Sequence, residues 1–324
     1  MKAIVLSRYG RPEDLGLQDL PRPEPRADQV RIRVGAASVN DWDWALVRGK
    51  PFYIRLLCGL LRPRVRIPGV DVAGRVDAVG ADVRGLSVGD EVYGDLSDSG
   101  FGAFAEYVCA PETALALKPR NLSFVEAAAI PHAGLLALQA LRDLGRLRAG
   151  HRLLINGAGG GVGTLGVQIA RATGVTVISG VDGAHKSELM RAAGFERTID
   201  FRQADFTRLD ESWDVVLDPK TDRPPSAYLR ALKPGGHYVT VGGSTGRLLQ
   251  LFLSAGLLRR LTGKSLRLLA LQPNRDLNDL TALIESGKLR PFIDGPYRPE
   301  HAIEAMRRFG AGEHLGKIVI DFGR

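Results

Sequence analysis

Five glycines lie between Asn156 and Gly163, in the sequence NGAGGGVG. The short apolar run 152–155 precedes them, and a helical pattern follows up to Thr173. This order of strand, glycine turn and helix is typical of the phosphate-binding unit of a dinucleotide fold. Glycines let the backbone approach a diphosphate closely, and the free N–H groups at the start of the helix point at it. The pattern therefore predicts a dinucleotide contact at Gly157, Gly160, Gly161, Val162 and Gly163.

The first 120 residues, which precede this unit, have a different character. They contain short alternating or β-branched runs separated by clusters of Gly, Pro and Asp, which predicts a mostly β structure. The predicted strands are Lys2–Leu6, Val30–Ser38, Val70–Val79, Glu91–Tyr93 and Ala103–Ala110.

The pattern changes near Asn121. Ser123 and Glu126 match a capping box ahead of an Ala-rich run, and from His151 predicted strands alternate with helices. Such alternation implies a parallel sheet covered on both faces. The fold class is therefore α/β, with a β-rich domain at 1–121, a dinucleotide-binding domain at 122–273, and a tail at 274–324 that returns to the β-rich part. The strands predicted in the second part are Arg152–Ile155, Val175–Ser179, Arg197–Asp200, Trp213–Leu217, His237–Val241 and Leu266–Leu271.

Composition narrows the class of protein. The chain has 324 residues, 44% hydrophobic content and a formal net charge of +8, but its arginines are scattered rather than grouped. We therefore expect no nucleic-acid partner. Two cysteines, Cys58 and Cys109, make neither a disulfide framework nor a metal set, and the N-terminus resembles no signal peptide. A reducing, cytoplasmic location is the expectation, and no apolar run approaches the length of a membrane span.

Two stretches, 52–66 and 247–264, are both apolar and rich in arginine. One interpretation is a helix that lies on a membrane surface or binds a partner. The other is a helix packed on the protein with its arginines in water. The second interpretation is favoured, because neither stretch has the clean polar face of an interfacial helix. Stable insertion into a membrane is not expected.

Several linked motifs carry a resemblance that covers nearly the whole chain. It is similar to the medium-chain dehydrogenase/reductase superfamily, in the zinc-independent branch that resembles quinone oxidoreductases. The resemblance implies a GroES-like β-rich catalytic domain, a Rossmann domain and a cleft between them. The motifs are ASVNDWDW (37–44), IPGVDVAGRVDAVG (67–80), VGDEVYG (88–94), GAFAEYVCAP (102–111), AAAIPHAGLLALQAL (127–141), INGAGGGVG (155–163), LKPGGHYVTVGG (232–243) and GKIVI (316–320).

The same resemblance allows a prediction of whether the chain binds catalytic zinc. Catalytic zinc takes three protein ligands from Cys, His and carboxylate side chains. In the zinc alcohol dehydrogenases of the superfamily, a Cys stands where this chain has Asn40 and a His where it has Asp71. None of the six histidines pairs with a cysteine at ligand spacing. We therefore predict no metal site, and interpret Asp71 as a satisfied polar group near a turn.

Without zinc, no Lewis acid polarises an alcohol or ketone oxygen. Reduction of a quinone or an activated C=C bond of the enone type then fits better than alcohol oxidation, since the conjugated carbonyl delocalises the charge left by the arriving hydride. The protein must mainly orient a small-molecule acceptor and supply hydrogen bonds to it.

The resemblance implies three catalytic candidates, Asn40, Tyr53 and His132. The Asn40 amide could bond the acceptor oxygen or an ordered water, or it could simply hold the turn before a helix. His132 could donate a proton, since imidazole titrates near neutrality, or be a polar lining of the site. Tyr53 and Trp44 either line the acceptor site or pack in the core.

The choice of cofactor depends on the residues after the second strand of the dinucleotide fold. An acidic side chain there favours NAD, and a basic one favours the 2′-phosphate of NADP. The acidic position of NAD users falls on Val181, which is neutral, and His185 and Lys186 are basic. NADPH is therefore predicted, with NADH possible because of Asp182. The resemblance also implies cofactor contacts at Val241, Gly242 and Gly243, and the spacing of Gly157, Gly160 and Gly163 resembles NADP-using quinone reductases.

Two further functions stay open at this point. One is a zinc-free alcohol dehydrogenase, and the other is a cofactor-binding protein with a partner-binding role, served by the stretches around Arg55 and Arg259. Relatives in the superfamily often form homodimers through the edge of the Rossmann sheet, which implies a homodimer here.

Overall fold

A computed structural model describes residues 1–323. The strands are β1 (Lys2–Leu6), β2 (Leu15–Asp19), β3 (Gln29–Ser38), β4 (Asp71–Val79), β5 (Glu91–Asp95), β6 (Tyr107–Pro111), β7 (Ala116–Leu117), β8 (Arg152–Asn156), β9 (Val177–Asp182), β10 (Arg197–Asp200), β11 (Trp213–Asp218), β12 (Leu232–Thr240), β13 (Ser265–Leu268), β14 (Ile293–Tyr297) and β15 (Lys317–Asp321). The helices are α1 (Asp41–Arg48), α2 (Phe52–Cys58), α3 (Phe124–Ala128), α4 (Pro131–Gln139), α5 (Gly161–Ala172), α6 (Ser187–Ala193), α7 (Pro225–Ala231), α8 (Thr245–Thr262), α9 (Leu277–Glu285) and α10 (Ala302–Ala311).

The chain forms two compact units. The first contains residues 1–132, 272–285 and 293–323, and the second contains 133–271 and 286–292. The domain limits that we predict from the sequence, at 121 and 273, stay a prediction, because a division by compactness does not define where a domain folds independently.

The first unit is built on a seven-stranded sheet. Its strand order is β14-β15-β3-β4-β5-β7, with β6 also paired to β3, and a separate hairpin joins β1 to β2. The long strand β3 organises the sheet, because it pairs with β4 along one side and with both β6 and β15 along the other. Its alternating burial places Val30, Ile32 and Val34 in the core.

The second unit is a six-stranded parallel sheet in the order β10-β9-β8-β11-β12-β13. In order along the chain this is 3-2-1-4-5-6, the Rossmann arrangement, whose strand order reverses between β8 and β11. Apolar strands such as Leu153–Ile155 are fully buried, as expected for a sheet covered on both faces. The predicted α/β class, with a β-rich part and a parallel-sheet part, is confirmed.

Several local predictions need correction. Residues 41–48 form a helix in the part predicted as mostly β, because the Asp43 carboxylate accepts a hydrogen bond from the Asn40 N–H and starts α1. In the predicted strand Ala103–Ala110, only Tyr107 onward is a strand, and Ala105 makes an isolated bridge to Ala3. On α5, Leu165 and Ile169 are buried, whereas Val162 is half-buried. The Ser123 capping box is confirmed, since Ser123 Oγ accepts from the Glu126 N–H.

The two arginine-rich apolar stretches form helices of different length. The first is helical only at Phe52–Cys58, since Gly59 adopts a φ of +116° and ends the helix. The second is helical from its start at 247 to Thr262, as part of α8, with Gly263 as the left-handed C-cap. Across residues 1–323, every helix is too short or too polar to cross a bilayer.

Candidate active site

A buried group of polar side chains lies in the first unit, where three strands meet. Ser38, at the end of β3, is paired in register with Asp71, at the start of β4. Strand β15 lies on the other side of β3 and begins at Lys317. Asn40 lies two residues after the end of β3 and is the N-cap of α1. Sheet register therefore brings together side chains that are up to 277 residues apart in sequence.

Lys317 supplies the positive charge of this group. Its Nζ lies 2.5 Å from Asn40 Oδ1, 3.3 Å from Asp71 Oδ2 and 3.2 Å from the Val39 carbonyl oxygen. The Lys317 side chain is only 5% exposed, and Asp71 is completely buried. The ammonium therefore compensates a carboxylate that no water screens.

Both the oxygen and the nitrogen of the Asn40 side-chain amide form hydrogen bonds within the protein. Its Oδ1 accepts from Lys317, and its Nδ2 donates to Asp71 Oδ2 at 2.9 Å and to the Ser38 carbonyl at 3.3 Å. This geometry supports the interpretation of Asn40 as the residue that holds the turn before α1. A direct bond from Asn40 to an acceptor stays a prediction. Asp71 is the satisfied polar group that we expect, since it also accepts from Ser38 Oγ at 2.7 Å.

His132 is connected to the same group. It lies in the first turn of α4, and its backbone N–H donates to Asp71 Oδ1 at 2.9 Å. Its ring Nδ1 lies 2.8 Å from Asp95 Oδ2. Asp95 is itself held by the Ser97 N–H, and its backbone N–H and carbonyl are both bonded to the Asn274 side chain. Among residues 1–323, no hydrogen-bond partner faces the second ring nitrogen of His132, Nε2.

The buried pair favours the charged forms of both partners. Burial acts to lower the pKa of His132, but the charge and hydrogen bond of Asp95 outweigh burial and raise this pKa above its usual value. Burial likewise acts to raise the pKa of Asp95, and the charge of His132 outweighs it and lowers that pKa. The pair therefore favours an imidazolium beside a carboxylate, with an N–H group at Nε2 available as a proton donor.

Asp43 is a third buried carboxyl group of the first unit. Its two oxygens accept from the backbone N–H groups of Asn40 and Gly69, at 2.9 and 2.7 Å. Burial raises the pKa of Asp43 to about 7. Asp43 ties the start of α1 to the segment before β4, and so fixes the backbone that carries Asn40.

In the second unit, the glycine-rich segment follows β8 and leads into α5. Gly157 has a φ of +80°, which favours glycine. A Cβ on Gly163 would lie 2.4–2.6 Å from the backbone of Ala158, so the turn can close only with glycine there. The N–H groups of Gly161, Val162 and Gly163 start the helix and have no partner within it. This cradle fits the diphosphate of a dinucleotide.

Asp182 lies at the end of β9 and faces this glycine segment. Its Oδ2 accepts from the Gly159 N–H at 3.0 Å, and its Oδ1 lies 3.6 Å from Lys186 Nζ. Lys186 is buried, and a Cβ on Gly159 would lie 2.5 Å from its Cδ. His185 is exposed. The structure therefore brings Lys186 to the glycine segment, with Asp182 as its counter-ion.

The carboxyl ends of β8, β11 and β12 are joined by a second buried network. Asp218 accepts from Asn156 Nδ2 at 2.8 Å and from the Tyr238 hydroxyl at 2.7 Å, and burial raises its pKa. Val241 follows at the same edge, because its N–H donates to the Asp218 carbonyl oxygen. The predicted cofactor residues Val241, Gly242 and Gly243 thus lie at the edge that also carries the glycine segment.

Of the three predicted catalytic residues, the structure brings two together. Asn40 and His132 share Asp71 as a partner. Tyr53 lies on α2, is 46% exposed and has no hydrogen bond within residues 1–323. Sequence reasoning missed Lys317 and Asp95 as members of the group. Lys317 lies in the GKIVI motif and Asp95 just beyond VGDEVYG, but neither motif indicates which buried charge its residue meets.

The donor set of the first unit does not fit zinc. The two positions at which zinc ligands were considered carry an amide, Asn40, and a carboxylate, Asp71, and both already contact the ammonium of Lys317. No group of three His, Cys, Asp or Glu side chains among residues 1–323 could hold a metal ion.

Comparison with known proteins identifies the family. Residues 26–120 match the family model described as the alcohol dehydrogenase GroES-like domain, and residues 193–320 match that of a zinc-binding dehydrogenase. A 2-methylene-furan-3-one reductase of Solanum lycopersicum is 33% identical, over 99% of this chain and 79% of the relative. An NADPH-dependent alkenal/one oxidoreductase of Arabidopsis thaliana is 32% identical, over 99% of this chain and 79% of the relative.

A solved structure agrees with these relatives. The quinone oxidoreductase of Coxiella burnetii is 31% identical, with a TM-score of 0.85 and coverage of 99% of both chains. The motifs of the present chain predict a GroES-like part and a Rossmann part, and its structure contains both. This chain belongs to the medium-chain dehydrogenase/reductase family of oxidoreductases.

Proposed function

We propose that this protein is an NADPH-dependent reductase that delivers hydride to a quinone or to the activated C=C bond of an enone. The observation that carries the proposal is the buried His132–Asp95 pair, in which the carboxylate favours the protonated imidazole and Nε2 has no partner in the described chain. A reductase needs an acid to protonate its product. Two relatives, an NADPH-dependent alkenal/one oxidoreductase and a 2-methylene-furan-3-one reductase, support this acceptor class.

In this proposal the nicotinamide, when bound, supplies the hydride. His132 donates the Nε2 proton to the carbanion or enolate oxygen that hydride addition creates, so that one hydride and one proton together reduce the acceptor by two electrons. Asp95 stabilises the imidazolium before transfer and holds Nδ1 in one orientation. Water then returns a proton to Nε2. Lys317 and Asp71 hold the backbone of His132 in place.

The residues that would hold the cofactor lie on the second unit. The N–H groups at the start of α5 would bind the diphosphate, with Gly157, Gly160, Gly161, Val162 and Gly163 forming the cradle. Lys186 and His185 would meet the 2′-phosphate of NADPH. Asp182 competes with that phosphate for Lys186, so the preference for NADPH over NADH rests on the ammonium leaving its counter-ion.

We also propose that catalysis is independent of zinc, because the ammonium of Lys317 contacts both side chains at the positions considered for zinc ligands. The proposal also includes a small-molecule acceptor, a homodimer and a cytoplasmic location. These three parts are supported by the sequence alone.

The test is NADPH oxidation by the full chain with an ortho-quinone and with an α,β-unsaturated ketone. We expect turnover with at least one of them, and a loss of about 10²–10⁴-fold in kcat for His132→Gln, the usual contribution of a general acid. His301→Gln is the matched control, since His301 is an exposed histidine paired only with Glu304.

Three results contradict the proposal. NADPH binding without oxidation across both acceptor classes would assign the chain a binding role. Turnover of simple alcohols with NADP⁺ would make it a zinc-free alcohol dehydrogenase. Full activity of His132→Gln would remove the proton donor from the mechanism.

A further inference from the structure

The net positive charge of the chain arises in one stretch of the second unit, which lacks acidic residues but is only slightly richer in basic residues than the rest of the chain. Residues 223–271 contain eight Lys and Arg residues and no Asp or Glu. Their charge of +8 equals the net charge of the whole chain, so the remaining residues sum to zero. The eight cations are Arg223, Arg230, Lys233, Arg247, Arg259, Arg260, Lys264 and Arg267.

Helix α8 lies in this stretch and exposes an apolar face. Five large side chains on it are between 57% and 73% exposed, namely Leu249, Phe252, Leu253, Leu257 and Leu261. The four leucines are four residues apart in sequence, so they form one stripe along the helix. From Leu249 to Leu261 this stripe is about 18 Å long. The opposite side of α8 packs on the protein through Leu251, which is buried. Large exposed apolar side chains grouped in this way on one helix mark an interaction site.

Cations without counter-ions lie beside the stripe. Arg259 and Arg260 are exposed on α8 itself, and among residues 1–323 neither forms an ion pair. Arg267, on β13, is likewise without an ion pair in that part of the chain. Burial first, and then the charges of Arg146, Arg267 and Arg259, lower the pKa of His237, so these three cations lie around that ring. The apolar stripe is therefore bordered by uncompensated positive charge.

The positive charge beside the stripe favours a lipid bilayer over a second copy of the chain as the partner of α8. In a two-fold dimer across α8, each copy would present the same face, and the arginines of both copies would approach with no carboxylate between them. A bilayer with anionic lipids instead offers an apolar layer for the leucines and phosphates for the arginines. We propose that the exposed face of α8 docks the protein on the surface of an anionic lipid bilayer.

The leucine stripe enters the boundary between headgroups and acyl chains, while Arg259 and Arg260 remain at the level of the phosphates. The docking is peripheral, and it revises the expectation that this stretch only packs on the protein, because the structure exposes five of its large apolar side chains. It does not depend on the proposed reductase activity, because the residues involved belong to neither the His132 pair nor the glycine segment.

The experiment measures co-sedimentation of the full chain with phosphatidylcholine vesicles, with and without phosphatidylglycerol. We expect binding only to the vesicles that contain phosphatidylglycerol, and weaker binding as salt rises. Leu253→Glu combined with Leu257→Glu should lower the affinity for vesicles at least roughly ten-fold, because two apolar side chains that docking would bury in the bilayer become charged. Arg259→Glu combined with Arg260→Glu should lower it by a similar factor.

Two control variants separate docking from general effects. Val88→Glu changes an exposed apolar residue on a turn of the first unit, and Arg191→Glu reverses an exposed charge on α6. Both should bind anionic vesicles as the unchanged chain does.

Each opposite result overturns the proposal. These are equal binding to neutral and anionic vesicles, no binding to either, or binding that the α8 variants leave unchanged. A dimer in the absence of lipid that dissociates on Leu257→Glu would assign the stripe to a second copy of the chain.

Discussion

The two polar centres of this protein are built in opposite ways. The glycine segment of the second unit uses residues that are contiguous in sequence, and its donors are backbone N–H groups whose direction follows from strand, turn and helix. The His132 centre of the first unit uses side chains from β3, β4, β5, α4 and β15, some of them 277 residues apart. The first kind of site depends on local conformation, and the second on a balance of buried charges.

This difference predicts which substitutions act on stability and which on ligand binding. A residue of the charge-balanced centre should affect the free energy of unfolding first, because its removal leaves an uncompensated charge in the core. A residue of the glycine segment should affect cofactor affinity first, because it alters the shape of a cradle at the surface of the sheet.

Lys317→Met should have the largest effect. The change removes the ammonium but keeps the apolar stem, so Asp71 remains buried without its cation. We expect a loss of about 3–5 kcal/mol in the free energy of unfolding, measured by urea denaturation. Lys288→Met, at an exposed lysine, is the control and should change it by less than about 0.5 kcal/mol. A loss below about 1 kcal/mol for Lys317→Met would show that buried charge does not stabilise the His132 centre.

Gly163→Ala should have an intermediate effect, directed at the cofactor. Its Cβ would meet backbone atoms of Ala158 at 2.4–2.6 Å, so the turn must open. The usual cost of such overpacking is about 1–3 kcal/mol. If this free-energy cost reduces the binding of NADPH, the affinity decreases roughly 5- to 150-fold. A fluorescence titration of the bound nicotinamide measures the change. Gly166→Ala, on the same helix, is the control, because its Cβ would lie 3.3 Å from the end of the flexible Ile155 side chain. Equal affinity of both variants would mean that the turn does not form the cradle.

The same contrast explains what the sequence could predict. The order of strand, glycine run and helix requires only neighbouring residues, and both the element and its place at the carboxyl edge of the sheet were predictable. Asp182 was recognised as an objection to NADPH. Its actual partners, Gly159 N and Lys186, depend on a rotamer and on the path of the turn, which a sequence pattern does not encode.

Side-chain pairing across the first unit could not be predicted in this way. Lys317 belongs to an apolar strand motif, and only the antiparallel register of β15 with β3 brings its ammonium to Asn40. Helix α1 followed from the sequence only as one alternative for Asn40, because its two tryptophans favour strands. The Asp43 carboxylate accepts a hydrogen bond from the Asn40 N–H and another from the Gly69 N–H, and the second is a tertiary contact that no local pattern indicates.

The smallest effect in this series is a displacement in pH. Because the Asp95 carboxylate raises the pKa of His132, the acid form of His132 persists to higher pH than an ordinary histidine. The rate of enone reduction should therefore be constant at low pH and fall as pH rises through that pKa. The stability from the pair follows the same sign: it is present below the ordinary histidine pKa and is lost as pH rises through the raised one.

Asp95→Asn removes the charge but keeps an oxygen near Nδ1. The descending limb of kcat against pH should then move to lower pH, and the rate well below that limb should change less than it does in His132→Gln. Glu304→Gln is the matched control, because it removes the carboxylate partner of the exposed His301 and should leave the limb in place. A limb that Asp95→Asn does not move would mean that the titrating acid is another group. The first centre would then be purely structural, and the proton would have to come from outside the His132 pair.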